Sequence, residues 1–303
     1  QHFNVIVDTG SSDLWVTSSA CSTAACHGNS GYDRRQFKSE FSSTFAKTSE
    51  QFSLPHGDGS GYIAKDVLNL GGLVCRTQEF GLANSVSQSF GYSDGDGVLG
   101  LGWPALATPN VIPPIQNLLN QLDQPIFTVW LDRHVKLQGD ELGGLITYGA
   151  LDHINCDAQV DYVTLSSKSY WQFPMTSFAF GTYSWSTTLD VISDTVSSWI
   201  GAPSSAVSAI VNATGAKYDY QHELYYVPCS GAYVDMMFTI GGQAYHVPSS
   251  EYILDLGLEN GHCALALYAV ESGGFGPSWI LGQPFIRTYC NIYDVGKGRI
   301  GFA

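Results

Sequence analysis

Short runs rich in Val, Ile, Tyr and Phe alternate with glycine along this chain. That pattern predicts a mostly β protein. Residues 1–20 read as strand, turn, strand. Residues 51–70 read as a hairpin: Gln51-Phe52-Ser53-Leu54 runs out, His56-Gly57-Asp58-Gly59-Ser60-Gly61 forms a glycine-rich tip, and Tyr62-Ile63-Ala64 begins the return. Two further stretches, 127–131 and 160–165, alternate or run apolar as strands. Helical spacing is confined to two places. Pro113-Pro114 opens one helix with Ile115, Leu118, Leu119 and Leu122 on a face, and Pro203 opens another with Val207, Ile210 and Val211. The absence of low-complexity sequence or a long linker predicts two tightly packed halves, 1–152 and 153–303, crossing at Gly149-Ala150-Leu151-Asp152.

The halves echo each other. Val5-Ile6-Val7-Asp8-Thr9-Gly10-Ser11-Ser12 is matched by Val191-Ile192-Ser193-Asp194-Thr195-Val196-Ser197-Ser198, and Val98-Leu99-Gly100 by Ile280-Leu281-Gly282. One Asp before Thr-Gly reads as a turn or cap residue. Here that explanation must work twice, in register with a second repeated feature. A duplicated half carrying one acid predicts a site with two carboxylates where the halves meet. Two close carboxylates cannot both ionise easily, so they share a proton over a wide acidic range. The ionised one can take a proton from water while the protonated one donates to a carbonyl oxygen. Together they can hydrolyse an amide without a covalent intermediate.

Charge changes the picture by exclusion. The formal net charge of −14 argues against holding nucleic acid through its phosphates. Few Lys and Arg also limit the positive charge reached in acid, which fits work at low pH. No apolar stretch approaches the roughly 20 residues that span a bilayer. No signal peptide is visible, and Gln1 lies just before a core strand, so the mature protein is expected to begin earlier. Seven cysteines without zinc-type spacing point to disulfides in a secreted or lumenal protein. Cys21 and Cys26 share a polar loop, Cys229 and Cys263 bracket a hairpin-like stretch, and Cys75, Cys156 and Cys290 remain. The histidines show no ligand spacing, so no metal is expected. Asn212-Ala213-Thr214 is the one N-glycosylation sequon.

Several motifs jointly carry a resemblance. They are Asp8-Thr9-Gly10-Ser11-Ser12-Asp13-Leu14-Trp15-Val16, the glycine-rich hairpin, Asp96-Gly97-Val98-Leu99-Gly100-Leu101-Gly102, Ser169-Tyr170-Trp171-Gln172, and Trp279-Ile280-Leu281-Gly282-Gln283-Pro284-Phe285-Ile286-Arg287. In this order they resemble the pepsin-like aspartic proteases, from Phe3 to Ala303. The wording around Asp194 is most similar to secreted nematode members. The resemblance implies a bilobal, mostly β fold of two pseudo-symmetric lobes with a cleft between them. It implies an aspartic endopeptidase, made as a zymogen and secreted or lysosomal. Such an enzyme works in acid on polypeptides in extended conformation, is inhibited by statine-type mimics, and acts as a monomer with no cofactor.

It also implies residue roles. Asp8 and Asp194 would flank the attacking water. Thr9 and Thr195 would cross-brace their loops, Gly10 and Val196 would offer amides, and Ser11 and Ser197 would hydrogen-bond the outer carboxylate oxygens. The 52–64 hairpin would be a flap, with His56, Gly57 and Asp58 at its tip and Trp15 nearby. Cys21–Cys26 and Cys229–Cys263 fit the family's disulfides. Cys156 and Cys290 would pair because the family places both on one sheet, leaving Cys75 free or tied to a preceding segment. The family's small disulfide before the second acid is missing at Ser184-Trp185-Ser186. A two-carboxylate glycosidase shares the chemistry, but leaves the duplicated Asp-Thr and the flap unexplained.

Three departures fall on the site. Val196 stands where the family has Gly, which would strain the loop if φ there is positive. His56 replaces a Tyr, and Asp58 a Ser or Thr, in a hairpin about two residues short. They motivate an alternative: a catalytically impaired pepsin-fold protein acting as a binding or decoy protein.

Overall fold

Glycine placement explains the central crossing of strands. In the computed structural model, which describes residues 1–29, 31–54, 59–133, 142–272 and 276–303, the chain forms two packed units, Gln1–Gln121 and Leu122–Ala303.

The first unit is built on a six-stranded sheet in the order Val5–Asp8, Gly97–Gly100, Leu14–Thr17, Leu73–Val86, Gly59–Leu70, Ala46–Ser53. Gly97–Gly100 runs parallel to Val5–Asp8, with Asp8 opposite Gly100, and antiparallel to Leu14–Thr17, with Trp15 opposite Val98. The second repeated feature thus slots between the two strands of the first. This needs glycine: a Cβ on Gly97 would sit 2.0 Å from the Trp15 carbonyl oxygen, and one on Gly100 would sit 2.4 Å from the Ser12 carbonyl carbon. Asp96, fully buried just before this strand, accepts the Asn4 and Arg35 amide N–H groups at 2.6 and 2.8 Å, so it anchors backbone. The expected hairpin is present, with Phe52 opposite Gly61 and Ser53 opposite Ser60. Phe52 packs with Trp15, Ile63, Ala83 and the Cys21–Cys26 loop.

The second unit repeats the motif. Leu189–Ser193 runs parallel to Trp279–Leu281, and Ile200–Pro203 lies on the other side with Gly201 opposite Ile280. Gly282 does what Gly100 does. A Cβ there would lie 2.2 Å from the carbonyl oxygens of both Ser197 and Trp199. The surrounding nine-stranded sheet buries Phe178, Phe238 and Trp279, with Phe178 and Trp279 ring centroids 4.6 Å apart. A five-stranded sheet pairs Ile126–Leu131 with Asn291–Asp294, and Phe127 stacks on Tyr293 at 4.5 Å. Both strands fall within the second unit, Leu122–Ala303.

The helix opened by Pro203 spans Ser204–Thr214. It buries Ala206, Val207 and Ile210 and ends on Gly215 in the left-handed region, whose N–H bonds the Val211 carbonyl. Val211 itself is only half-buried. The helix opened by Pro113 is shorter than its pattern suggested. Pro114–Leu118 is α-helical and Leu119–Gln121 tightens into a 3-10 turn, leaving Leu119 and Leu122 half-buried. The three expected disulfides, Cys21–Cys26, Cys229–Cys263 and Cys156–Cys290, all form, and Cys75 has no disulfide partner among the described residues.

Candidate active site

Asp8 is the last residue of strand Val5–Asp8, and the chain turns immediately at Thr9-Gly10. The turn folds its own donors back onto the carboxylate. The Gly10 N–H donates to Asp8 Oδ1 at 2.7 Å, and Ser11 Oγ donates to Oδ2 at 2.5 Å. The glycine strand then locks this turn. The Leu101 N–H donates to the Asp8 carbonyl and the Gly102 N–H to the Ser11 carbonyl, both at 2.7 Å, while Ser12 Oγ donates to the Trp103 carbonyl at 2.7 Å. Thr9 is fully buried below the turn. Next along the chain, the Asp13 carboxylate accepts the Thr108 N–H and hydroxyl. Burial pushes the Asp13 pKa up, and these bonds oppose the rise.

Asp194 follows strand Leu189–Ser193 and is held by the same pattern. The Val196 N–H donates to Asp194 Oδ1 at 2.9 Å, and Ser197 Oγ donates to Oδ2 at 3.0 Å. The Asp194 N–H donates to the Leu281 carbonyl, and the Gln283 N–H to the Ser197 carbonyl at 2.8 Å. Gln283 Nε2 also reaches the carbonyl of the buried Thr195. Beneath, buried Ser193 Oγ donates to Asn291 Oδ1 at 2.8 Å and sits 2.8 Å from Tyr293 Oη. Both carboxylates therefore receive an amide from two residues on and a hydroxyl from three residues on. Charge-assisted bonds of this kind are the stronger ones, and they fix the plane of each carboxylate.

Val196 fits without strain. Among the described residues, those with positive φ other than glycine are Asn110, Glu223 and Asn260, so Val196 needs no glycine conformation. Its amide makes the bond to Asp194, and its side chain is 42% exposed. Trp15 is buried 4.6 Å from Phe90 and 6.4 Å from Phe52, at the base of the hairpin. His56, Gly57 and Asp58 lie outside the described residues. Asn212 is exposed on its helix, where Thr214 Oγ1 donates back to the Ile210 carbonyl at 2.8 Å.

Sequence reasoning missed one residue at this site. Tyr268 Oη lies 3.3 Å from Ser197 Oγ. It sits 71 positions downstream in an ordinary apolar strand, and only the parallel pairing of Ile200–Pro203 with Leu267–Val270 brings it there. A cavity of about 590 Å³ in the first unit is lined by Phe3, Leu14, Phe37 and Phe80 among others. Asp8 is not among its lining residues, so it is separate from the acid chemistry. Among the described residues no His, Cys, Asp and Glu cluster has the makings of a metal site, and no helix is long and apolar enough to cross a membrane.

The family model described as eukaryotic aspartyl protease matches residues 1–303. The chain is 55% identical to "Aspartic protease 1" of Caenorhabditis elegans, covering all of this chain and 78% of that protein. It is 48% identical to "Aspartic protease 17" of the same organism, covering 79% of it. It is 34% identical to "Pepsin-3" of Oryctolagus cuniculus, covering 77% of it. The two glycine-crossed strand motifs, each presenting an acid held by an amide and a serine hydroxyl, thus sit in a chain that belongs to the eukaryotic aspartyl protease family and has its mostly β, pepsin-like fold.

Proposed function

We propose that this protein is an aspartic endopeptidase, active in acid, in which Asp8 and Asp194 act together on one water. The observation that carries the reading is the matched pair of acid loops, each with an amide on Oδ1 and a serine hydroxyl on Oδ2. One carboxylate, ionised, takes a proton from the water as its oxygen attacks the scissile carbonyl carbon. The other, protonated, donates to the carbonyl oxygen, giving a gem-diol. The carboxylic acid then protonates the amide nitrogen while the carboxylate takes a proton from a gem-diol hydroxyl; the C–N bond breaks to leave a carboxylic acid and an amine, and the dyad again shares one proton. No covalent intermediate forms.

The substrates are polypeptides in extended conformation, and a statine-type compound, which mimics the gem-diol, is the matching inhibitor. The enzyme works as a secreted or lysosomal monomer, with Asn212 available for glycosylation. The decoy reading drew on Val196, His56 and Asp58. The unstrained Val196 removes the first argument, and the other two positions lie outside the described residues.

The test is cleavage of denatured haemoglobin between pH 2.5 and 7, with and without a statine inhibitor. Inhibitable cleavage that peaks in acid and disappears in Asp8→Asn and Asp194→Asn supports the reading. Retained activity in either variant refutes the mechanism.

A further inference from the structure

Both acid loops set an amide and a serine hydroxyl on the carboxylate; in the second the Ser197 N–H also reaches Asp194 Oδ1 at 3.4 Å, and the loops differ further in what stands behind the serine. In the first, Ser11 Oγ bonds Asp8 Oδ2, and among the described residues no second hydroxyl faces it. In the second, Ser197 Oγ bonds Asp194 Oδ2 at 3.0 Å and also lies 3.3 Å from Tyr268 Oη. We propose that Tyr268 is a positioning residue for Asp194: its phenol donates to Ser197 Oγ and so commits the Ser197 hydroxyl hydrogen to the carboxylate. The proposal rests on the reading of Asp194 as a catalytic acid.

The direction of the relay follows from counting hydrogens. A serine hydroxyl has one hydrogen and two acceptor lone pairs. With that hydrogen on Asp194, Ser197 can meet Tyr268 only as an acceptor, so the phenol must donate. A chain of donors ending on a charge polarises each bond in it. Without the phenol, the Ser197 hydroxyl keeps its acceptor but loses the contact that excludes its other rotamers.

The fold makes room for this contact. Tyr268 pairs with Gly201 in the parallel strands Ile200–Pro203 and Leu267–Val270. A Cβ on Gly201 would lie 2.9 Å from both Cζ and Oη of Tyr268, so the phenol lies across a glycine. Burial is the main influence on the phenol and pushes its pKa up; the nearby Asp194 charge adds to this, while the Ser197 bond opposes it. Tyr268 therefore stays protonated, as a donor must, wherever the enzyme works.

The 3.3 Å separation is longer than the roughly 2.7–2.8 Å usual for O–H···O bonds. The effect should accordingly be several-fold rather than many decades. The experiment measures kcat and KM for a fluorogenic peptide in acid with wild type, Tyr268→Phe, Ser197→Ala and the double variant, each checked by thermal melting. Tyr268→Phe should lower kcat about 3- to 10-fold and leave KM within about twofold. In the Ser197→Ala background it should change nothing further, because the relay is already cut. Should Ser197→Ala fail to fold, Ser197→Thr keeps the hydroxyl and should preserve the sensitivity to Tyr268→Phe.

A wild-type kcat in Tyr268→Phe overturns the proposal. So does an effect carried in KM, which would mean the phenol touches peptide, or an equal loss in both backgrounds. Asp194→Asn run alongside separates the two levels. Activity in that variant sinks the reading of Asp194 itself, whereas a dead Asp194→Asn beside an unaffected Tyr268→Phe sinks only the relay.

Discussion

Val196→Gly restores the residue the family uses, and two readings of Val196 predict opposite signs for it. If valine strained the loop through a positive φ, its removal would relieve about 1–3 kcal/mol and raise stability. The structure shows no such conformation at Val196. The change should then cost stability, through two contributions. Full burial of a valine is worth about 1.5–3 kcal/mol. Because Val196 is 42% exposed, roughly half of that burial, about 1 kcal/mol, is lost with the side chain. Glycine also widens the unfolded ensemble at a cost of about 0.5–1 kcal/mol. The sum, about 1.5–2 kcal/mol, lowers the melting midpoint by roughly 3–8 °C. Activity should stay within about twofold in kcat/KM, because the amide that bonds Asp194 Oδ1 belongs to the main chain and survives the substitution. Differential scanning calorimetry and peptide turnover on the same preparation give both numbers. A higher midpoint, or a tenfold gain in kcat/KM, would refute the argument and return Val196 to the list of features that impair the enzyme.

Other predictions probe the frame around the acids. Gly282→Ala forces a Cβ to within 2.2 Å of two backbone oxygens, so it should yield unstable or inactive protein; Gly143→Ala, which meets nothing within 4 Å, should melt within about 0.5 kcal/mol of wild type. Replacing both Cys156 and Cys290 by Ser opens a link spanning 134 residues and should cost up to about 5 kcal/mol in a denaturant titration; an unchanged midpoint would rule out a structural role. Burial holds the Asp13 pKa above its ordinary value of 3.8, so the native state binds that proton more tightly than the unfolded chain does. The Asp13 contribution to stability therefore rises as pH falls through its folded pKa, and levels off below the unfolded one. Asp13→Asn should accordingly compare better with wild type at neutral pH than in acid, as read from melting midpoints at both ends.

The repeated acid loops were legible in sequence because each is local. Gly10, Ser11, Val196 and Ser197 lie within three residues of the carboxylates they serve, so the repeat brought them into view and the resemblance to pepsin-like proteases supplied their roles. Gly100 and Gly282 were visible as echoes, but their reason was not. Only the crossing of distant strands shows that a side chain there would strike backbone. Tyr268 left no trace in spacing, since its place beside Ser197 is made by strand pairing. The hydrophobic face starting at Pro114 predicted one continuous helix through Leu122, whereas the α-helix stops at Leu118 and tightens into a 3-10 turn. Periodicity records which residues are apolar, but does not record where an α-helix tightens into a 3-10 turn.

The strand crossing also imposes an order on synthesis. The Asp8 loop meets the Leu101 and Gly102 amides and the Trp103 carbonyl once the segment through Trp103 has left the ribosome, before the first unit is finished. The loop of Asp194 waits for Leu281, Gly282 and Gln283, far downstream of the acid itself. A polypeptide stopped before Trp279 therefore carries one braced acid and one without its strand support. Premature termination late in the message removes the second acid's scaffold while sparing both acids in the sequence, and a nascent chain cannot complete its chemistry while it is still being made.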